Sequence, residues 1–297
     1  WDMSRRTGGL RMLPPFGLPE YHTGNYTGTI EALNAVATYI RDIPQKYLVL
    51  LLGNLCANID LLQPMRQHRR SGAEITAICA DHTPAQSHHH YVLGEDGFVK
   101  QILFDRTDEA EGLPSLEGYI INKDTLLKMM DQCKARNQYS FHKNAVAAFL
   151  AEGGKMDTYV HPGYAVTIRT VEAYYKASMD MLKTEYRRQI FPADRPVRTK
   201  AHEEVSTYYG EKAVSRNSLV ADNCKIEGSI ENCIIFSGAR IEKGAKLRNC
   251  IIMRGGIVGE GTELNCVIAD KYCSFSPGTV LTGNSRLPMV VPKGVSI

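Results

Sequence analysis

The tetrapeptide Asn-Cys-Ile-Ile occupies residues 232–235 and returns at 249–252, and Asn-Cys-Val-Ile follows at 265–268. Around these copies, aliphatic residues recur about every six positions, with glycine and other small residues between them. This period predicts short strands joined by tight corners, three to a coil, with each coil stacked on the next to bury its apolar edge. We therefore predict that residues 213–297 form a left-handed parallel β-helix of hexapeptide repeats. The alternative, an ordinary β-sandwich, does not account for a six-residue step.

Bulk composition narrows the class of protein. A chain of 297 residues suits two domains, and a net charge of +3 is too small to indicate nucleic acid or an anionic membrane as a partner. No apolar run approaches the ~20 residues that span a bilayer. The eight cysteines show no metal-binding spacing, so we expect no metal site and a reducing, cytoplasmic location. Cys233, Cys250 and Cys266 are predicted to stack inside the coils as free thiols.

The region before the repeats is predicted to be an α/β domain, 1–188, followed by a linker, 189–212. The apolar run 47–52 fits a strand buried on both faces of a parallel sheet, and it ends in Gly53-Asn54. A helix over 61–71 and a strand over 73–79 follow, which gives a βαβ order. Ligands bind at the carboxyl ends of strands in such sheets, and this places Gly53 and Asn54 at the expected pocket.

Three local features complete this prediction. Residues 171–188 have the apolar period of one long amphipathic helix. The histidine run 88–90 lies in a polar stretch, which favours a solvated turn over a metal site. The chain begins at Trp1 rather than at a methionine, so we expect an N-terminal part of the first domain to precede it.

Four segments resemble motifs of the ADP-glucose pyrophosphorylase (glucose-1-phosphate adenylyltransferase) family. Residues 24–32 resemble Y-R-G-T-A-D-A, residues 50–60 resemble L-x-A-G-D-H-x-Y-x-M-D, residues 68–76 match H-x-x-x-x-A-D-x-T, and residues 171–180 match L-E-A-Y-x-x-A-N-x-D. The resemblance implies a Rossmann-like nucleotidyltransferase domain with a mixed sheet. The positions that it assigns to the nucleotide-sugar pocket are Gly28, Thr29, Glu31, Gly53, Asn54, Asp60 and Thr167.

Three departures from the family motifs bear on catalysis. The family joins glucose-1-phosphate to ATP with a magnesium ion held by two aspartates, and here those positions are Asn54 and Thr167. Neutral amide and hydroxyl groups do not neutralise a dication, so we expect the chain to bind no Mg²⁺ and to need no cofactor of its own. A third departure is the missing Glu-Lys-Pro segment, whose lysine holds the sugar phosphate. Between Gly97 and Gly118, the only basic residues of the sequence are Lys100 and Arg106, and no Glu-Lys-Pro occurs.

These losses resemble a non-catalytic branch of the family that serves glycogen biosynthesis by modulating a catalytic subunit. The resemblance implies a mixed tetramer in which only the catalytic partner uses Mg²⁺. A regulatory subunit of this kind requires coupling between conformations, typically ~1–3 kcal/mol. A sugar phosphate or nucleotide effector is the expected ligand, and Arg5, Arg6 and Arg11 are the candidate anion contacts, with solvated surface charges as the alternative.

Two other functions remain open. The chain could be an active nucleotidyltransferase that uses other carboxylates, Asp60 or Glu31, although Asp60 also fits the cap of the helix that follows it. An acyltransferase built on the β-helix would need a histidine between coils, and no histidine follows His202.

Overall fold

A computed structural model describes residues 8–13, 26–81, 89–104, 112–199 and 203–297. The chain divides into two compact units. The first consists of Trp1–Gly53 and Ile59–Pro162, and the second of Asn54–Asn58 and Gly163–Ile297. The second unit therefore includes residues 163–188, which the predicted boundary assigns to the first domain.

The elements before the repeats are as follows. The strands, in chain order, are β1 (Tyr47–Leu50), β2 (Leu55–Ala57), β3 (Ile75–Ala80), β4 (His89–Leu93), β5 (Val99–Phe104), β6 (Leu113–Asn122), β7 (Met156–His161) and β8 (Ala165–Thr167). The helices are α1 (Thr29–Ala35), α2 (Ala37–Asp42), α3 (Leu62–Ser71), α4 (Lys123–Ala135), α5 (Ala147–Ala151), α6 (Val171–Asp180) and α7 (Thr184–Ile190), and a π-helical turn, Phe141–Val146, leads directly into α5.

The first unit is built on a mixed sheet in the order β5-β4-β6-β3-β7, and β1 also pairs with β6. The pair β3–β7 is parallel, whereas β6 is antiparallel to β1, β3 and β4. The prediction of a mixed α/β sheet domain is confirmed. Because strands on both sides and helices on both faces enclose β6, its residues 114–121 are all buried.

Alternate residues of β3 contact different helices, as the two-residue period of a strand requires. Ile75 and Ala77 share a buried cluster with Leu126 of α4 and with residues of α1, α2 and the π-helical turn. On the other face, the Thr76 hydroxyl lies 2.8 Å from Nδ1 of the buried His68 of α3. The sheet is therefore covered on both faces.

The apolar run 47–52 contains a strand, β1, but the prediction that this strand is buried in a parallel sheet is wrong. β1 pairs with β6 alone among the described strands, and the pairing is antiparallel. Tyr47 and Val49 are 38% and 36% exposed, so the strand is not buried on both faces. A continuous apolar run has the same sequence pattern in an edge strand as in a central one, and only the pairing distinguishes the two.

The predicted single helix 171–188 is instead two helices, α6 and α7, separated at residues 181–183. The Thr170 hydroxyl accepts a hydrogen bond from the Ala173 N–H and caps the start of α6. At the break, the Arg187 guanidinium donates to the carbonyl oxygens of Met181 and Leu182, at 2.9 and 3.3 Å. These bonds satisfy carbonyls that a continuous helix would have paired internally, which makes the interruption inexpensive.

The solvated turn predicted for the histidine run 88–90 is also wrong. His89 and His90 begin β4 and are only 2% and 1% exposed, while His88 lies outside the described residues. Pairing of β4 with β5 and β6 covers this segment. Because histidine is polar, a run of histidines shows no apolar periodicity from which a buried strand could be predicted.

The second unit contains the solenoid, which is formed by three sheets of five parallel strands each. This confirms the left-handed β-helix of hexapeptide repeats predicted from the sequence. The first sheet is β9 (Tyr208–Tyr209), β12 (Lys225–Ile226), β15 (Arg240–Ile241), β18 (Ile257–Val258) and β21 (Ser274–Phe275). The second is β10 (Val214–Arg216), β13 (Ser229–Glu231), β16 (Lys246–Arg248), β19 (Glu263–Asn265) and β22 (Val280–Thr282), and the third is β11 (Leu219–Val220), β14 (Ile234–Ile235), β17 (Ile251–Ile252), β20 (Val267–Ala269) and β23 (Met289–Val291).

An asparagine ladder follows one corner of the solenoid. The amide of Asn217 donates to Asn232, Asn232 to Asn249, and Asn249 to Asn265, at 2.7, 3.3 and 3.2 Å. Asn217, Asn232 and Asn249 have φ of 42°, 52° and 52°. Asparagine suits these corners because it tolerates the left-handed conformation and its amide bonds to the coils above and below.

The third copy of the repeat is displaced by one residue relative to the other two. Ile251 pairs with Ile268 rather than with Val267, and Cys266, with φ of 51°, takes the corner position that Asn249 holds in the preceding coil. Cys233 and Cys250 belong to the solenoid interior as predicted, but Cys266 packs with Tyr175 of α6. The prediction of an interior site for Cys266 is therefore wrong, because the coil is 17 residues there and the sequence offset is 16.

Candidate functional site

The ladder of β2 and β8 brings Asn54 and Thr167 to the same end of one two-stranded sheet. Leu55 pairs with Thr167, and the Ile168 N–H donates to the Asn54 carbonyl oxygen at 2.8 Å. Thr167 is 1% exposed. Two positions that are far apart in the sequence are thus neighbours within the second unit, as two ligands of one metal would have to be.

The side chains at these positions do not fit a magnesium ion. Oδ1 of Asn54 is buried with no hydrogen-bond partner in the described part of the chain, and the Thr167 side chain carries only a hydroxyl. β2 and β8 contain no acidic residue. Mg²⁺ in proteins is usually held by carboxylates together with water and substrate phosphates, so this donor set lacks the charge to hold it. A buried, unpaired amide oxygen instead suits a neutral hydroxyl or N–H donor.

Gly28 and Thr29 border a separate cavity of about 410 Å³ within the first unit. A Cβ on Gly28 would lie 2.3 Å from the Tyr139 carbonyl oxygen, so only glycine fits this approach. That same carbonyl accepts a hydrogen bond from the Ile30 N–H at 3.0 Å. The cavity is also lined by Gln138 and His142, and Oε1 of Gln138 is buried without a partner in the described residues.

A buried polar cluster, which no sequence pattern predicts, adjoins this cavity through His142. Nε2 of His89 is 3.1 and 3.2 Å from the hydroxyls of Tyr91 and Tyr119, which are 2.7 Å from each other. The centre of the His142 ring, which lines the cavity, lies 4.4 Å from the centre of the His89 ring, and the two rings are tilted by 37°. Burial raises the pKa of both tyrosines, so they stay protonated as hydrogen-bond donors.

Glu117 of β6 combines burial with a left-handed backbone conformation. It is buried, has φ of 54°, and its N–H donates to the Ser115 hydroxyl at 2.9 Å. Non-glycine residues rarely adopt this conformation, and they concentrate at functional sites. Position 117 lies within a register shift between β3 and β6, because Ile78 pairs with Gly118 and Cys79 with Ser115, near the carboxyl end of β3. No sequence pattern signals such a conformation, which explains why the residue was not predicted.

The two alternative carboxylates have structural partners. Oδ1 of Asp60 accepts the Leu62 N–H at 3.1 Å at the start of α3, and Oε2 of Glu31 accepts the Thr27 N–H at 2.6 Å at the start of α1. The Asp60 bond satisfies an N–H group that α3 leaves unpaired at its first turn, whereas the Glu31 bond ties the first turn of α1 to Thr27, which precedes the helix.

Replacing Asp60 with alanine is expected to lower the free energy of unfolding by about 1 kcal/mol, because α3 loses its cap. Asp60→Asn is the matched control, since asparagine keeps the acceptor oxygen without the charge, and it should unfold close to the unmodified protein. Urea unfolding with and without MgCl₂ measures the free energy of unfolding of both variants. A loss in Asp60→Asn as large as in Asp60→Ala would show that the charge, and not the cap, is what matters.

The remaining predicted residues are distributed as follows. Gly53 lies in the turn after β1, and a Cβ there would meet no atom within 4 Å, so its backbone is open. The Arg11 guanidinium lies 5.5 Å from the centre of the Tyr39 ring. Arg5 and Arg6 lie outside the described residues. The described part of the chain contains no cluster of three or more His, Cys, Asp or Glu side chains able to share a metal ion.

Comparison with known proteins agrees with this architecture. Residues 202–287 match the family described as GlmU-like, C-terminal hexapeptide. Glucose-1-phosphate adenylyltransferases of Clostridium kluyveri and of Desulfitobacterium hafniense (strain DSM 10664 / DCB-2) are 27% and 26% identical over 252 and 249 residues, which are 83% and 82% of this chain. The chain spans 65% and 62% of these relatives, less than two thirds of their length. A nucleotidyltransferase-like sheet unit followed by a hexapeptide β-helix is thus the class that the fold and these similarities define.

One relative matches nearly the whole chain. The glycogen biosynthesis protein GlgD of Bacillus subtilis (strain 168) is 29% identical over 295 residues, which are 99% of this chain and 76% of that protein. The resemblance to the ADP-glucose pyrophosphorylase family and to its glycogen-biosynthesis branch is confirmed. Among the described residues, no helix is long and apolar enough to cross a membrane.

Proposed function

We propose that this chain is a regulatory, catalytically deficient subunit of a glucose-1-phosphate adenylyltransferase, modulating ADP-glucose synthesis for glycogen by a catalytic partner in the cytoplasm. The observation that carries the proposal is the pair Asn54 and Thr167. They are adjacent on the β2–β8 ladder, where the family places its two metal-binding aspartates, and both are neutral.

The loss of charge at these positions is expected to remove catalysis rather than to reduce it. Nucleophilic attack on a nucleotide α-phosphate develops negative charge that a metal ion and cationic groups must offset. A site that holds no dication leaves this charge uncompensated. We therefore propose that the chain itself uses no cofactor and that Mg²⁺ acts only in the catalytic partner.

Catalytic deficiency leaves ligand binding in place. The cavity beside Gly28 and Thr29 has room for part of a nucleotide or sugar phosphate, and its unpaired Gln138 oxygen accepts a hydrogen bond from a ligand. A ligand that binds one conformation better than another shifts the population toward it, which is all that regulation requires. Such binding is consistent with a modulatory role.

The alternative is an active nucleotidyltransferase that uses other carboxylates. The candidates are Asp60, which accepts the Leu62 N–H at the start of α3, and Glu31, which accepts the N–H of Thr27 just before α1. A carboxylate that leaves this position to bind a metal would give up a cap of about 1 kcal/mol. The alternative therefore has no carboxylate that is free of a structural role among its candidates.

The solenoid is proposed as the surface that contacts the catalytic subunit in a mixed tetramer. Its last strands leave Val280, Met289 and Val290 exposed, and Leu287 is 74% exposed. Unpaired strand edges and apolar side chains at the end of a solenoid favour association, because covering them removes apolar area from water. If the two proteins, when co-expressed, elute separately at micromolar concentration, this part of the proposal is wrong.

The deciding experiment measures ADP-glucose formation by the catalytic subunit, by this protein, and by the two together. We expect no formation by this protein alone, and a higher rate or a lower substrate requirement when it is added to the partner. ADP-glucose synthesis by this protein alone at a normal enzymatic rate would contradict the proposal. A heat-denatured sample added to the partner controls for non-specific stabilisation.

A further inference from the structure

The helix α3 presents cationic side chains without counter-charges. It contains Arg66, Arg69 and Arg70 and no acidic residue. Within the described ranges, their guanidinium groups form no ion pair and no hydrogen bond. Arginine on a protein surface is commonly balanced by a nearby carboxylate, so three unbalanced guanidinium groups on ten residues make this helix a local centre of positive charge.

Two of the three arginines border a cleft of about 510 Å³ between α3 and β7. Arg66 and Arg70 are four residues apart and therefore lie on the same face of the helix, separated by ~6 Å along its axis. Tyr159 of β7 forms part of the opposite wall, and Gln63 adds a side-chain amide. Arg69 does not line the cleft.

The carboxylate beside the cleft is already engaged. Asp157 accepts the Gln67 amide through Oδ2 at 3.0 Å and the Thr158 N–H through Oδ1 at 2.7 Å. The Gln67 amide also donates to the Thr158 carbonyl oxygen at 2.9 Å, which fixes this arrangement. Neither carboxylate oxygen pairs with Arg66 or Arg70, so the cleft offers cationic donors that lack an internal anion.

We propose that this cleft binds the phosphate group of a small phosphorylated ligand, such as a phosphate monoester or a diphosphate. Guanidinium groups carry several N–H donors in a planar fork that matches phosphate oxygens. Charge-assisted hydrogen bonds of this kind are stronger than hydrogen bonds between neutral groups. Arg69 and Arg70, in the last turn, also interact favourably with the helix dipole, but Arg66 lies a turn earlier, where the dipole does not account for it.

This binding site goes beyond the regulatory role proposed above. None of its lining residues belongs to the predicted nucleotide-sugar pocket or to the predicted effector arginines. Its volume accommodates more than inorganic phosphate, so a sugar phosphate is within the class of ligands expected. The phosphate would contact Arg66 and Arg70, and the rest of the ligand would extend toward Tyr159.

The test titrates the protein with inorganic pyrophosphate and with glucose-1-phosphate at constant ionic strength, by calorimetry. We expect saturable binding, weakened about tenfold or more in Arg66→Gln and in Arg70→Gln, because each loses a charge-assisted pair. Arg69→Gln is the matched control: it removes the same charge from the same helix, outside the cleft, and should change affinity less than about twofold. Comparing the two probes shows whether phosphate alone suffices.

Three results would overturn the inference. They are an equal loss of affinity in Arg69→Gln, an absence of saturable binding up to about 10 mM of either probe, and binding of polyglutamate but of neither phosphate. All three arginines are exposed, so the variants should unfold at the temperature of the unmodified protein. Hydrogen exchange on the unmodified protein gives a second measurement, with protection by pyrophosphate expected at α3 and β7. Both readouts need no catalytic partner, so their failure would leave the proposed function untouched.

Discussion

Replacing both Asn54 and Thr167 with aspartate is expected to make the stability of the protein depend on Mg²⁺. Both positions lie at one end of the β2–β8 ladder, and Thr167 is buried. Without metal, two carboxylates there would repel each other and lose hydration, at a cost of about 3–5 kcal/mol. With Mg²⁺ at 100 times its dissociation constant, binding would return about 2.7 kcal/mol.

The pH dependence of the double variant's stability is a second, independent test of the two new carboxylates. Burial and mutual repulsion would raise the pKa of at least one new carboxyl above its unfolded value of about 3.9. The folded state then binds more protons than the unfolded state, so stability falls as pH rises through the raised pKa. Saturating Mg²⁺ lowers that pKa and should remove this loss.

Thermal unfolding across pH and MgCl₂ concentration measures both effects, and the single variants Asn54→Asp and Thr167→Asp are the controls. Each single variant supplies one carboxylate and should respond to Mg²⁺ much less than the double variant does. An equal response from the unmodified protein would show that it already binds the metal and would overturn the argument from donor chemistry. ADP-glucose formation by the double variant would show, in addition, that the pocket retains its substrates.

Replacing Asn249 with valine is expected to lower the free energy of unfolding by about 3–4 kcal/mol. The side chain of Asn249 bonds to Asn232 and Asn265, and these two bonds contribute about 1 kcal/mol each. Its φ of 52° costs a β-branched residue a further ~1–2 kcal/mol. The solenoid transmits this loss because each coil stacks on its neighbours.

Asn249→Gly separates the two contributions. Glycine adopts positive φ without strain, so this variant should lose the ladder bonds but not the conformational cost, and should be destabilised less than Asn249→Val. Urea unfolding monitored by circular dichroism gives the comparison. Equal destabilisation by glycine and valine would mean that the left-handed conformation contributes nothing and that the ladder alone determines the effect.

The sequence was most informative where a short period repeats. The hexad pattern specified the solenoid, because stacked coils bring the same apolar strand positions, such as Ile226, Ile241 and Val258, one above the other in the interior. The sequence was less informative about strand register. The third repeat follows the second by 16 residues, but paired residues of the two coils are 17 apart, so Cys266 occupies the corner. In that position Cys266 packs with Tyr175, which lies far away in the sequence.

The candidate site divides in the same way. The motif positions Asn54 and Thr167 could be located from the sequence, because they are fixed by their distance from neighbouring motif residues. The buried cluster of His89, Tyr91 and Tyr119 could not, because polar residues in buried strands have no hydrophobic period to reveal them. The left-handed Glu117 was equally invisible, since a register shift between two strands, and not a residue type, places it there.

The sequence by itself determined the α/β class of the first unit, the β-helix, the family resemblance and the chemical identity of the residues at the metal positions. Only the tertiary structure decided that β1 is exposed beside β6, that Glu31 bonds to the Thr27 N–H, and that Arg66 and Arg70 share a cleft with Tyr159. The physical reason is the range of the interactions involved. Periodicity reports contacts between near neighbours, whereas strand pairing, caps and clefts depend on residues brought together by the whole fold.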